Sequence, residues 1–140
     1  MNADFTKKKI LIMGLGLHGG GVGAARFFAK RGASVMITDL RSEAQLQPSL
    51  AKLKEFSGIT YMLGKHRDSD FLQADLIVKN PGVPPASPYI KLARENGIPV
   101  TTDLGIFLRQ CTAEIIGVTG TRGKSTTCFL IFRFLFYFRR

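Results

Sequence analysis

The chain has 140 residues, 45% of them hydrophobic and 21% charged, with 20 Lys and Arg against 10 Asp and Glu, a net charge of +10. That size and balance describe one globular domain with little to spare. Its two cysteines, Cys111 and Cys128, are too few for a disulfide framework and favour a reduced, cytoplasmic setting. The basic excess is scattered, apart from Lys7-Lys8-Lys9 and Arg139-Arg140, and no nucleic-acid recognition motif accompanies it; an anionic small molecule such as a nucleotide explains it at least as well.

Lys9–Met13 (KILIM) is a short apolar run ending at glycine, the pattern of a strand buried on both faces. The glycines that follow break the run too early for a signal peptide. Val22–Arg31 has helical apolar spacing, with Gly32 where a C-terminal cap belongs. Ser34–Thr38 predicts a second strand ending at Asp39, Leu46–Phe56 a helix, and Thr60–Leu63 a third strand. Leu76–Lys79 predicts a fourth, followed by the turn Asn80-Pro81-Gly82. Ser87 is placed to cap a helix through Asn96. Val100–Thr102 reads as a short fifth strand, Asp103–Arg109 as a linking helix, and Ile115–Thr119 as a sixth strand entering a second glycine loop. The alternation implies an α/β, Rossmann-like, doubly wound parallel sheet over residues 1–110. Residues 111–140 then read as the first strand, loop and helix of a second, incomplete domain. The tail run Cys128–Phe138 is too short for a transmembrane helix, which needs about 20 residues.

Two loops carry chemistry. Gly14-Leu15-Gly16-Leu17-His18-Gly19 fits G-x-G-x-x-G between a strand and a helix, and Asp39 ends the next strand about 20 residues on, the layout of a dinucleotide site. Gly20, Gly21 and Gly23 extend this into a stretch that reads as floppy unless something orders it. In the second loop the strict pattern G-x-x-x-x-G-K-[ST] would put its first glycine at position 118, which is Val118. The core Gly123-Lys124-Ser125 remains. It offers an anion nest of backbone amides, a lysine charge for the β- and γ-phosphates, and a hydroxyl for Mg²⁺.

The stretch Thr119-Gly120-Thr121-Arg122-Gly123-Lys124-Ser125-Thr126 matches T-G-T-x-G-K-[ST]-T. That is the phosphate loop of the Mur ligases, ATP-dependent amide-bond-forming enzymes of peptidoglycan synthesis, and the chain resembles this family from about Lys8 to Thr127. GLGLHG (14–19), DLR (39–41), ADLIVKNPGVP (74–84) and GIPVTTDLGIF (97–107) are most similar to the branch that adds D-glutamate. The resemblance implies a first domain holding the UDP end of UDP-N-acetylmuramoyl-L-alanine. Leu17 and His18 would lie in the loop touching the nucleotide, Asp39, Leu40 and Arg41 at uracil and phosphate, and Asn80, Pro81 and Gly82 beside the uridine. It also implies that Gly120, Thr121, Arg122, Gly123, Lys124, Ser125 and Thr126 hold ATP, with Lys124 catalytic and Ser125 a Mg²⁺ ligand. The implied reaction phosphorylates the substrate carboxylate, and the amine of D-glutamate then attacks the acyl phosphate.

The family's D-glutamate site and further metal ligands have no counterpart in these residues. The chain is therefore expected to be a truncated product that makes no amide bond alone. Its tail, aromatic on every face, is expected to drive self-association. Two other readings compete. An NAD-binding module of a dehydrogenase or regulatory protein would use Gly14–Gly19 and Asp39 but leaves the loop at 120–126 unexplained. A non-catalytic interaction protein would act through the aromatic tail.

Overall fold

A computed structural model describes residues 4–138; the basic pair Arg139-Arg140 lies outside the described residues. The chain divides into two units, Met1–Gln110 and Cys111–Arg140.

In the first unit the strands are β1 (Lys9–Met13), β2 (Ser34–Asp39), β3 (Ile59–Leu63), β4 (Leu76–Lys79) and β5 (Val100–Thr101). All pair in parallel, in the order β3-β2-β1-β4-β5. Side chains alternate across a strand, so successive residues of the KILIM run serve opposite layers. Ile10 and Ile12 join Val35, Ile37, Ile59 and Val78 on one face, beneath α1 (Gly20–Ala29) and α2 (Glu43–Leu50). Leu11, Met13 and Ile77 face the other way, against Phe71 of α3 (Asp68–Leu72) and Ile90 and Ala93 of α4 (Pro88–Glu95). Burial on both faces explains why the central strands read as unbroken apolar runs. Each fully buried Phe, Leu or Ile contributes about 1.5–3 kcal/mol.

Several boundaries differ from the sequence reading. The first helix starts at Gly20 rather than Val22, because Gly21 lies against the backbone of Leu15. The second starts at Glu43 rather than Leu46. Ser42 and Gln45 form a capping box there, and the helix tightens after Leu50 into a 3-10 turn, Ala51–Leu53. Helix α3 was not foreseen. It is short, with Phe71 as its buried anchor and an Arg67–Asp70 ion pair at its start. Ser87 sits at the N-cap of α4 without its hydroxyl making a capping bond, and Pro88 at the first turn supplies the start signal instead. The linking helix α5 runs Asp103–Gln110.

In the second unit the expected strand at 115–119 does not form. Ile115 and Ile116 are 50% and 60% exposed, and no neighbouring strand offers them a ladder among the described residues. A parallel strand exists only through such pairing. The helix α6, Lys124–Phe138, does form, and it buries none of its residues. Among the described residues no helix is long and apolar enough to cross a membrane.

Candidate functional site

Between β1 and β4 the winding of the sheet reverses, and ligands in open parallel sheets bind at the carboxyl ends of the strands flanking such a point. A cleft of about 920 Å³ opens there. The end of β1 contributes Gly14, Gly16, Leu17 and His18; the end of β2 contributes Asp39, Leu40 and Arg41; the turn after β4 contributes Asn80 and Gly82. Three sequence-distant stretches singled out by pattern and by resemblance thus line one cleft. Pro81, between Asn80 and Gly82 in that turn, is exposed and is not among the lining residues.

The start of the first glycine loop is held from several sides. The amide of Gly14 donates to Thr38 O at 2.8 Å. The amide of Gly16 donates to Asp39 Oδ2 at 3.1 Å, and the buried Ser49 hydroxyl donates to the Gly16 carbonyl at 2.7 Å. Gly14 and Gly16 take φ of 91° and 63°, where a β-carbon is strained, and one on Gly14 would meet Asn80 Cβ at 2.9 Å. Beyond these braces, the amides at 17–22 donate to no acceptor among the described residues. They remain available to an anion at the start of α1. Leu17 and His18 stand exposed on the lip.

Asp39 turns out to be a brace. Only 5% of it is exposed, its Oδ2 accepts from Gly16 and its Oδ1 accepts from the amide of Arg41 at 2.9 Å. Asp39 therefore shapes the two loops while still lining the cleft. The Arg41 guanidinium lies 3.9 Å from Asp39 with half its side chain in solvent, so the attraction is screened and the side chain is free to turn onto a ligand. Asn80 shapes the third wall. Its Oδ1 accepts from Gly82 N at 3.0 Å, its carbonyl accepts from Val83 N, and Lys79 Nζ reaches Val83 O at 3.0 Å.

Sequence reasoning missed His66 and Tyr89, which also line the cleft. Neither belongs to a motif, and α3, which carries their neighbour Phe71, was not foreseen. His66 packs edge-on to Tyr89 and Phe71, with centroids 4.9 and 5.7 Å away, and its Nδ1 is 2.6 Å from Thr38 Oγ1. Burial pushes the imidazole below its ordinary pKa, against the opposing pull of Asp39 and Asp70. The folded form therefore resists protonation. As pH falls from about 6.5 through the folded value, the unfolded chain binds a proton first and stability is lost. Thermal melts between pH 7.5 and 5.5 should show a steeper loss for the parent than for His66→Asn. Parallel curves would contradict this.

In the second unit, Gly120 and Gly123 take φ of 149° and 78°, and the first helical bond of α6 runs from Thr127 N to Gly123 O. The amides of Lys124, Ser125 and Thr126 are left at the helix start, as a phosphate loop requires. Lys124 Nζ folds back onto the Gly120 carbonyl. Among the described residues no group of three or more His, Cys, Asp or Glu side chains is placed to hold a metal.

Residues 8–102 match a family model described as Mur ligase MurD-like, N-terminal domain. The UDP-N-acetylmuramoylalanine–D-glutamate ligase of Roseiflexus sp. (strain RS-1) is 49% identical over 89% of this chain and 26% of its own length. The enzyme of the same name from Borreliella afzelii (strain PKo) is 50% identical over 96% of the chain and 30% of its own. Among solved structures, a pseudomurein peptide ligase type C from Methanothermus fervidus superimposes with a TM-score of 0.56 at 27% identity, over 93% of this chain and 26% of that one. The chain thus spans between a quarter and a third of the length of these relatives. Because the residues matched by the family model take in every strand of the sheet and every wall of the cleft, the chain belongs to the Mur ligase family, of which it carries the MurD-like N-terminal domain.

Proposed function

We propose that the cleft holds the UDP end of UDP-N-acetylmuramoyl-L-alanine, and that the chain serves an ATP-dependent ligase adding D-glutamate in cytoplasmic peptidoglycan synthesis. The observation that carries this reading is the convergence of Leu17, His18, Asp39, Leu40, Arg41, Asn80 and Gly82 on one cleft at the reversal point of the sheet. Arg41 is the permanent cation among the described residues lining it, and Leu17 and His18, whose amides are unbonded, line the same cleft. That combination suits a diphosphate beside an apolar lip. The dehydrogenase reading falls away, since the family match accounts for the loop.

The residues Gly120, Thr121, Arg122, Gly123, Lys124, Ser125 and Thr126 would hold ATP. The amides at the start of α6 would take phosphate oxygens, with Lys124 moving from the Gly120 carbonyl onto the β- and γ-phosphates. Mg²⁺, when bound, neutralises charge on the transferring phosphoryl group, and Ser125 would supply one oxygen to it. In the complete reaction the γ-phosphoryl group passes to the substrate carboxylate, releasing ADP. The D-glutamate amine then attacks the acyl carbon and expels inorganic phosphate.

Titrating isotope-labelled 140-residue chain with UDP and with UDP-N-acetylmuramoyl-L-alanine tests the cleft. Amide shifts are expected at Leu17, Arg41, Asn80 and Gly82, and a titration that leaves these four unmoved would refute the assignment. The exposed aromatic residues of α6, among them Phe132, Phe134, Phe136 and Phe138, at 61–71% exposure, suit self-association. Light scattering should report species larger than a monomer, and removal of residues 128–140 should restore the monomer. A parent chain that is already monomeric would contradict that.

A further inference from the structure

Thr38 and His66 lie outside every motif, yet they form a small relay at the wall of the cleft. Thr38 is fully buried at the end of β2, and its Oγ1 has two neighbours: the Lys65 carbonyl at 3.3 Å and His66 Nδ1 at 2.6 Å. A hydroxyl has one proton to give and lone pairs to receive with. The carbonyl can only accept, so both contacts are satisfied together when Thr38 donates to Lys65 O and His66 Nδ1–H donates to Thr38 Oγ1. In the neutral ring the other nitrogen, Nε2, is then a lone-pair acceptor.

No protein group among the described residues bonds Nε2. The ring packs edge-on against both Phe71 and Tyr89, which themselves stack at 5.0 Å, so Nε2 is presented by a packed aromatic support. The same ring lines the cleft with Tyr89, Ser87 and Val83. A neutral acceptor is useless to a phosphate, which carries only acceptors at neutral pH. It suits a donor: the imide N–H of a pyrimidine base or a ribose hydroxyl.

From this arrangement we infer that His66 is a specificity residue of the cleft, whose Nε2 accepts a hydrogen bond from the uridine portion of the ligand, with Thr38 as the positioning residue that sets its tautomer. The inference rests on the cleft being a UDP site. It adds a contact to the nucleoside, where Arg41 and the loop amides read only the phosphates. Burial, which keeps the ring neutral, acts in the same direction.

Side-chain nitrogen NMR of the 140-residue chain at pH 7.5 should find His66 as the Nδ1–H tautomer, with Nε2 shifting on addition of UDP. An Nε2–H tautomer would overturn the inference. Calorimetry or NMR titration then compares UDP with two analogues, N3-methyl-UDP and 2′-deoxy-UDP. The parent should bind one analogue about five- to tenfold more weakly than UDP, the loss expected for one hydrogen bond, and which one identifies the donor. His66→Asn keeps a polar atom within reach of Thr38 but has nothing at the Nε2 position. It should bind UDP about five- to tenfold more weakly and no longer distinguish that analogue. Thr38→Val should blunt the discrimination while leaving the ring in place. If His66→Asn binds UDP as tightly as the parent, with shifts at Leu17 and Arg41 intact, the role of His66 is wrong while the UDP cleft stands. If UDP binds to neither, both are wrong.

Discussion

Gly21→Ala should lower the melting temperature of the first unit by more than about 10 °C. A β-carbon at residue 21 would sit 2.4 Å from Leu15 O, 2.7 Å from Leu15 Cα and 2.8 Å from Gly14 O. All three are backbone atoms of the glycine loop, which is pinned by Thr38, Asp39 and Ser49 and has no flexible end to swing aside. The helix must move off the sheet, at a cost of about 3 kcal/mol or more. Two residues on, Gly23 lies in the same helix with nothing within 4 Å of a built β-carbon. There alanine removes only the entropic cost of a helical glycine, and Gly23→Ala should stabilise by about 0.5–1 kcal/mol, raising the melting temperature by a few degrees. Far-UV circular dichroism melts of the pair decide the matter. Equal effects at the two positions would mean that α1 does not rest on Leu15 as described. A weakened Gly21 variant should also lose ligand binding, because the same contact sets the start of α1 against the cleft loop.

Arg41→Ala should weaken UDP binding about 10- to 100-fold, the range expected for one charge-assisted contact to phosphate, and leave uridine binding almost unchanged. Arg41 is the permanent cation among the described lining residues, and its ion pair with Asp39 is long and half-solvated, so little holds it back from a phosphate. Its backbone amide, which braces Asp39, is untouched by the substitution, so the loop should keep its shape. Raising the salt concentration should weaken UDP binding to the parent and do so less steeply in the variant. Arg41→Lys should recover part of the affinity, since a point charge replaces a fork of donors. Equal loss for uridine and UDP would place Arg41 away from the phosphates. Read beside the His66 experiments, the two variants divide the ligand, with Arg41 sensing charge and His66 sensing the nucleoside.

The amino-acid sequence alone determined the alternation of strands and helices, the parallel doubly wound class, and the two glycine loops. These are local matters: apolar runs ending at glycine, helical spacing, and residues tolerant of positive φ. It also drew together GLGLHG, DLR and the Asn80 turn as parts of one site, through resemblance. Only the tertiary structure decided what each residue does there. That Asp39 braces Gly16 and the amide of Arg41 was invisible until the fold brought them together. The glycine run at 19–23 read as floppy because the surface under Gly21, the backbone of Leu15, is supplied only by the fold. His66 carries no motif at all; it reaches the cleft because Thr38, Phe71 and Tyr89, distant in sequence, converge on it. The strand expected at 115–119 has the right composition and does not form, because pairing belongs to a partner strand and not to the segment itself. Periodicity and turn chemistry are written within a few residues of each other, whereas carboxylate partners, ring clamps and strand ladders depend on groups that only the folded chain brings within hydrogen-bonding reach.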